Sequence, residues 1–138
     1  MIVYLLCFYN LQFIMYNLSV GEKIFDIRER SFRFGVRIVK LAVSLPKNAA
    51  GFAIGSQIVR SGTGIGANIE ETQNAGSKKE FIRGMTIALK EARETEYWSR
   101  LIGESGLIPE NRLKDLIEEN NDILKILITI VKKAKLKG

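Results

Sequence analysis

From about position 26 onward, apolar residues recur at three- and four-residue intervals, and no stretch shows sustained alternation of period two. Four segments carry that spacing, each bounded by helix punctuation. Asp26 is placed to cap a helix running to about Leu45, where Pro46 stops it. Asn48 is placed to cap a second helix reaching about Gly76. Ser77 and Glu80 form a Ser-Lys-Lys-Glu capping box that opens a third, and Gly106 ends it. Pro109 suits the first turn of a fourth helix reaching about Lys135. Long helices joined by short connections predict an all-α protein, an antiparallel up-down four-helix bundle, with no repeat or interdomain linker.

The faces of these helices refine that expectation. At about 100° per residue, Ile27, Phe34, Ile38, Leu41 and Leu45 of the first helix fall on one core face. Phe32, Val36, Val39 and Val43 form a second apolar stripe, more than a lone bundle needs to bury, which asks for a partner. Arg30, Arg33, Arg37 and Lys40 fill the remaining arc. The bland alternative is a solvated face beside a generous core.

The second helix is nearly uncharged, and Gly51, Gly55, Gly62 and Gly66 share one of its faces. Each glycine costs about 1 kcal/mol in a helix relative to Ala. A stripe of small residues compensates by letting a neighbouring helix approach closely. Arg60 is the one charge in this stretch before Glu70 and needs a carboxylate partner if buried, with Glu70, Glu71, Glu91 and Glu94 as candidates. Gly62-Thr63-Gly64-Ile65-Gly66-Ala67 also matches the G-x-G-x-x-A dinucleotide pattern, but no strand precedes it and no βαβ unit surrounds it, so it reads as packing.

On the third helix, Met85, Ala88, Ala92, Thr95 and Ser99 make a face of mostly small residues suited to the second helix. Glu91 and Glu94 lie together on one face while Glu96 points elsewhere, a pattern of interhelical ion pairing rather than of a catalytic carboxylate pair. Tyr97 and Trp98 suit packing at an interface better than base stacking. The fourth helix has a core face of Leu113, Leu116, Ile117, Leu124, Leu127 and Val131, with Asn120 inside it as a register-setting polar residue. Ile126 and Ile130 add apolar surface to one side. Lys132, Lys133, Lys135 and Lys137 end the chain in a basic tail that would add affinity near a polyanion without specificity.

Residues 1–15 stand apart as a hydrophobic N-terminal extension, and residues 16–138 form the bundle domain. The first twenty residues carry no charge, yet Asn10, Gln12, Asn17 and Ser19 interrupt them, and neither the positive flank nor the cleavage site of a signal peptide is present. Met15 directly precedes a start typical of a soluble domain, so residues 1–14 read as an upstream reading artefact or as an arm packing on the bundle. A membrane-anchored bundle is the competing expectation.

Composition narrows the chemistry. The 138 residues are 46% hydrophobic and 26% charged, which excludes global disorder. With no His and one Cys, the chain has no internal disulfide, no multi-cysteine zinc site, no Ser-His or Cys-His pair and no Glu-x-x-His di-iron pair. No catalytic residue, metal ligand or cofactor is assigned. The net charge of +6 is concentrated in residues 22–47 and 107–138. The expected function is therefore non-enzymatic binding of RNA or DNA through basic surface, in the cytoplasm. The residues expected to carry it are Arg30, Arg33, Arg37 and Lys40, with Lys132, Lys133, Lys135 and Lys137 in support. The alternative is a protein-interaction scaffold with a second protein as partner and no nucleic acid binding.

The run Ile58-Val59-Arg60-Ser61-Gly62-Thr63-Gly64-Ile65-Gly66-Ala67-Asn68-Ile69-Glu70-Glu71 resembles a family signature, as do Ser77-Lys78-Lys79-Glu80-Phe81-Ile82 and Ile87-Ala88-Leu89-Lys90-Glu91-Ala92-Arg93-Glu94-Thr95 with Tyr97-Trp98. Together with the Ser-Leu-Pro ending of the first helix and the Gly106-Leu107-Ile108-Pro109 link, they make residues 16–135 similar to the four-helix bundle proteins encoded in intervening sequences of bacterial 23S rRNA genes. The resemblance implies a ring-like homopentamer with basic surface and supplies no catalytic residues. It also implies an architectural role for Arg60, Glu70, Glu71, Glu91, Arg93 and Glu94.

Overall fold

The punctuated junctions become helix boundaries. The computed structural model describes residues 18–136, with side chains from Ile27 onward. Helix α1 spans Leu18–Ser44, α2 Ala49–Thr72, α3 Lys78–Glu104 and α4 Glu110–Leu136. The described residues contain no strand. The N-terminal extension and Lys137 lie outside them.

Three helix ends form as their residues dictate. Asn48 is extended and its Oδ1 accepts from the Gly51 amide at 2.8 Å, capping α2. Ser77 Oγ accepts from the Glu80 amide at 3.1 Å. Glu80 reaches back, not to the Ser77 amide as a capping box would have it, but one residue further, to the Gly76 amide at 2.7 Å. Gly106 takes φ +75°, and the bonds from Leu107 N to Ile102 O and from Gly106 N to Gly103 O close α3 in a Schellman motif.

Two boundaries differ from expectation. Asp26 does not cap α1, because α1 begins at Leu18 and Asp26 lies within it. Val20, Ile24 and Ile27 continue the helical spacing upstream and no proline interrupts them. Helix α2 ends at Thr72 rather than near Gly76, since residues 73–75 turn back on bonds from Gln73 N to Glu70 O, Asn74 N to Glu71 O and Ala75 N to Thr72 O.

The helices pack in sequence order, α1 on α2, α2 on α3 and α3 on α4, and the seam between α1 and α4 is the thinnest of the four. Ile27, Phe34 and Ile38 of α1, Ile58, Ile65 and Ile69 of α2, Met85, Ala92 and Ile102 of α3, and Leu113, Ile123 and Leu127 of α4 fill the core. Ile130 is buried with them, correcting the expectation that it lies to one side, while Ile126 is partly buried against the core.

The glycine face of α2 receives α1. A Cβ on Gly62 would meet Ile38 side-chain atoms at 2.6 to 3.0 Å, one on Gly66 the Ser31 carbonyl oxygen at 3.2 Å, and one on Gly55 the Leu45 side chain at 3.3 Å. Gly51 sits under the Pro46 carbonyl at the α1–α2 turn. The face of α3 meets α2 as its small residues suggested, with the buried Ser61 and Thr95 hydroxyls 3.0 Å apart. Asn120 donates from Nδ2 to the Ala92 carbonyl at 2.9 Å, tying α4 to α3. Its Oδ1 and the Ser99 hydroxyl are buried without partners. No described helix is long and apolar enough to cross a membrane.

Candidate nucleic-acid interface

Helix α1 turns two chemically distinct surfaces outward. The first is the apolar stripe: Phe32 is 66% exposed, Val36 41%, Val39 45% and Val43 77%. Its inner edge forms a groove of about 540 Å³ against α2, floored by Gly35, Thr63, Gly66 and Ala67. The Arg28 guanidinium closes one end of the groove, with Nε donating to Glu70 Oε2 at 3.2 Å. That hydrogen bond, with the Arg28 charge, holds the Glu70 carboxyl below its ordinary value against the opposing effect of burial.

The second surface is basic, but not every predicted residue belongs to it. Arg30 is folded into the α1–α4 seam, where its Nε and Nη2 engage both oxygens of Glu119 at 3.0 and 2.9 Å and Nη2 lies 3.5 Å from Asp122. A fork–fork pair of this kind, with both side chains about three-quarters buried, takes Arg30 out of the exposed stripe. Arg33 is exposed and pairs one turn back with Glu29 at 2.8 Å, a contact that exchanges readily in water. Arg37 and Lys40 are exposed on the same side and sit with Arg112 of α4 around a groove of about 260 Å³. Arg112 was missed in the sequence because it stands alone between Asn111 and Leu113, and only the antiparallel return of α4 brings it to α1.

The tail lysines lie elsewhere. Lys132 and Lys135 are exposed and Lys133 half-buried near the other end of α4, about 30 Å from Arg112 at 1.5 Å per residue. The Arg30–Glu119–Asp122 cluster lies between the two basic groups along the helix. The structure thus does not unite the predicted basic residues into one band.

The residues assigned to architecture divide among two ion-pair clusters and two surface positions. Arg60 bonds to Glu94 and lies 3.4 Å from Glu91, joining α2 to α3. It is half exposed, so the pairing is not a rescue of a buried charge. Partial burial pushes the Glu91 carboxyl up, opposed by Arg60 and reinforced by Glu94. Glu70 pairs with Arg28 rather than Arg60, and Glu71 and Arg93 are exposed.

With Arg60 between them, Glu91 and Glu94 form an interhelical ion-pair cluster. Among the described residues no group of His, Cys, Asp or Glu could hold a metal ion. The Gly62–Ala67 segment lies within α2. Tyr97 is exposed and meets Trp98 edge to face at 4.9 Å between ring centres, while Trp98 packs on the core.

Comparison with known proteins places this geometry. The sequence profile of the family described as 23S rRNA-intervening sequence protein matches residues 23–129. No curated protein matches the chain. A crystal structure from Bacteroides thetaiotaomicron, of a protein of unknown function from the S23 ribosomal protein family, is 41% identical to it. That likeness covers 80% of this chain and 98% of the other, with a TM-score of 0.75.

Proposed function

The chain belongs to the 23S rRNA-intervening sequence protein family, and from that premise we propose that it is a non-enzymatic, cytoplasmic homo-oligomer that binds RNA or DNA through its basic surface. The observation that carries this is the pairing of two surfaces on α1: an exposed apolar stripe, Phe32 to Val43, beside exposed Arg33, Arg37 and Lys40. An apolar stripe of that length favours burial against another copy. Copies joined through it would present their cations together, so that weak phosphate contacts add by avidity. The resemblance to the family's ring-like homopentamers supports five copies.

Binding of a labelled structured RNA across a salt series tests this. Neutralised phosphates release counterions, so affinity should fall linearly on a log–log plot, by about 0.9 per contact on a duplex and 0.7 on a single strand. A slope exceeding one subunit's cations supports the multi-copy surface. Absence of binding at low salt favours the scaffold alternative, in which the apolar stripe receives a different protein and the charge serves solubility.

A further inference from the structure

We propose that the groove between the C-terminal half of α1 and the first turn of α4 is a phosphate clamp, in which Arg37, Lys40 and Arg112 together hold a nucleic-acid phosphodiester. The lysines at the far end of α4 are then a separate, weaker contact. Three cations line this groove with Leu41, Ser44, Ile108 and Leu116, and no carboxylate does. Among the described residues none of the three makes an ion pair, as is also true of Arg83 and Arg93, whereas Arg28, Arg30 and Arg33, which share α1 with Arg37, all do. Arg112 is also on the wrong end of its helix. The first turn of α4 carries the positive end of the helix dipole, which disfavours a cation there. The fold therefore gathers like charges at a position where each opposes the others. An anion in the groove attracts all three cations and the positive helix end at once, and so offsets these repulsions. The two guanidiniums offer planar N–H pairs suited to phosphate oxygens, and Lys40 adds a point charge.

The identity of the phosphate as nucleic acid rests on the function proposed above; the geometry itself concerns phosphate. The test uses the full chain in three forms: wild type, Arg37→Gln with Lys40→Gln and Arg112→Gln, and a control with Lys132→Gln, Lys133→Gln and Lys135→Gln. Each is titrated with a structured RNA across a salt series and, separately, with inorganic tripolyphosphate while thermal unfolding is followed.

The clamp predicts that tripolyphosphate raises the wild-type and control unfolding temperatures but not that of the groove variant. It also predicts that the groove variant loses about tenfold or more in RNA affinity, with a salt slope shallower than the control's. A tripolyphosphate effect confined to proteins with the intact groove, without RNA binding by any form, keeps the clamp and removes the nucleic-acid function. Equal RNA losses in both variants, or a tripolyphosphate effect that survives in the groove variant or is absent from wild type, overturn the clamp. Should the triple groove variant lose its helical circular dichroism, Arg112→Gln alone carries the same comparison.

Discussion

Gly62 on α2 and Ile38 on α1 occupy one space between them: a Cβ on the glycine would stand 2.6 Å from Ile38 Cγ1 and 2.8 Å from Cγ2. Ala at this position gains about 1 kcal/mol in helix propensity. It must also push a fully buried isoleucine, and overpacking costs about 1–3 kcal/mol. Gly62→Ala is thus expected to lower stability in chemical denaturation. Combined with Ile38→Ala, its added cost should shrink by at least about 0.5 kcal/mol, since the pair share one contact. An additive double mutant would mean that α1 can shift to make room.

The exposed stripe gives a second expectation. Val36→Lys with Val39→Lys places charge in the middle of the apolar surface of α1 while leaving the core face untouched. Native mass should drop toward the 15.6 kDa of one chain, with unchanged helical content. A mass equal to that of wild type would show that copies meet elsewhere.

Arg30 and Arg37, two turns apart on one helix, should behave oppositely. Arg30→Gln leaves Glu119 and Asp122 without their partner in a partly buried seam and should cost stability on the order of 1 kcal/mol. Its effect on the salt slope of RNA binding should be small, because its charge is already neutralised. Arg37→Gln should leave stability within about 0.5 kcal/mol of wild type and reduce the slope.

Two carboxylates predict opposite pH behaviour. Glu70 is held low by Arg28, so its stabilisation is present above the ordinary carboxylate range and lost as pH falls through its folded pKa. Glu91 is pushed up, so its ionisation costs stability as pH rises from its unfolded toward its folded pKa. Urea unfolding between about pH 3 and 7 should show Glu70→Gln losing stability relative to wild type as pH rises, and Glu91→Gln gaining it. Both differences should be modest, since Glu70 is mostly exposed and the Arg60 charge opposes the effect of burial on Glu91. Parallel curves for both variants would contradict these assignments.

The four helices, three of their ends and most of the core stripes were legible because each is local: Asn48, Ser77 and Gly106 act on backbone within a few residues. The two-stripe character of α1 was legible for the same reason, as a matter of spacing on one helix. What escaped was set between helices. Arg30 and Arg33 look alike in sequence, yet only Arg30 faces Glu119 across the seam. Arg112 joins Arg37 and Lys40 only because α4 returns antiparallel beside α1. Partner choice among carboxylates depended likewise on helix rotation, which gave Arg60 to Glu91 and Glu94 and Glu70 to Arg28.

The glycine-lined seat of α1 on α2 has a consequence for the order in which the molecule opens. By local propensity α2 is the poorest helix of the four, carrying Gly51, Gly55, Gly62, Gly64 and Gly66 within one span. Yet it is flanked on both sides, and on its packed faces, at Ser61, Gly62 and Ile65, its backbone is buried against neighbours with little side chain between. Amide hydrogens of α2 around Ser61 to Ile65 should therefore exchange with solvent only through opening of the whole bundle, while the far end of α4 frays at little cost. The segment least able to stand alone as a helix becomes the last to let go.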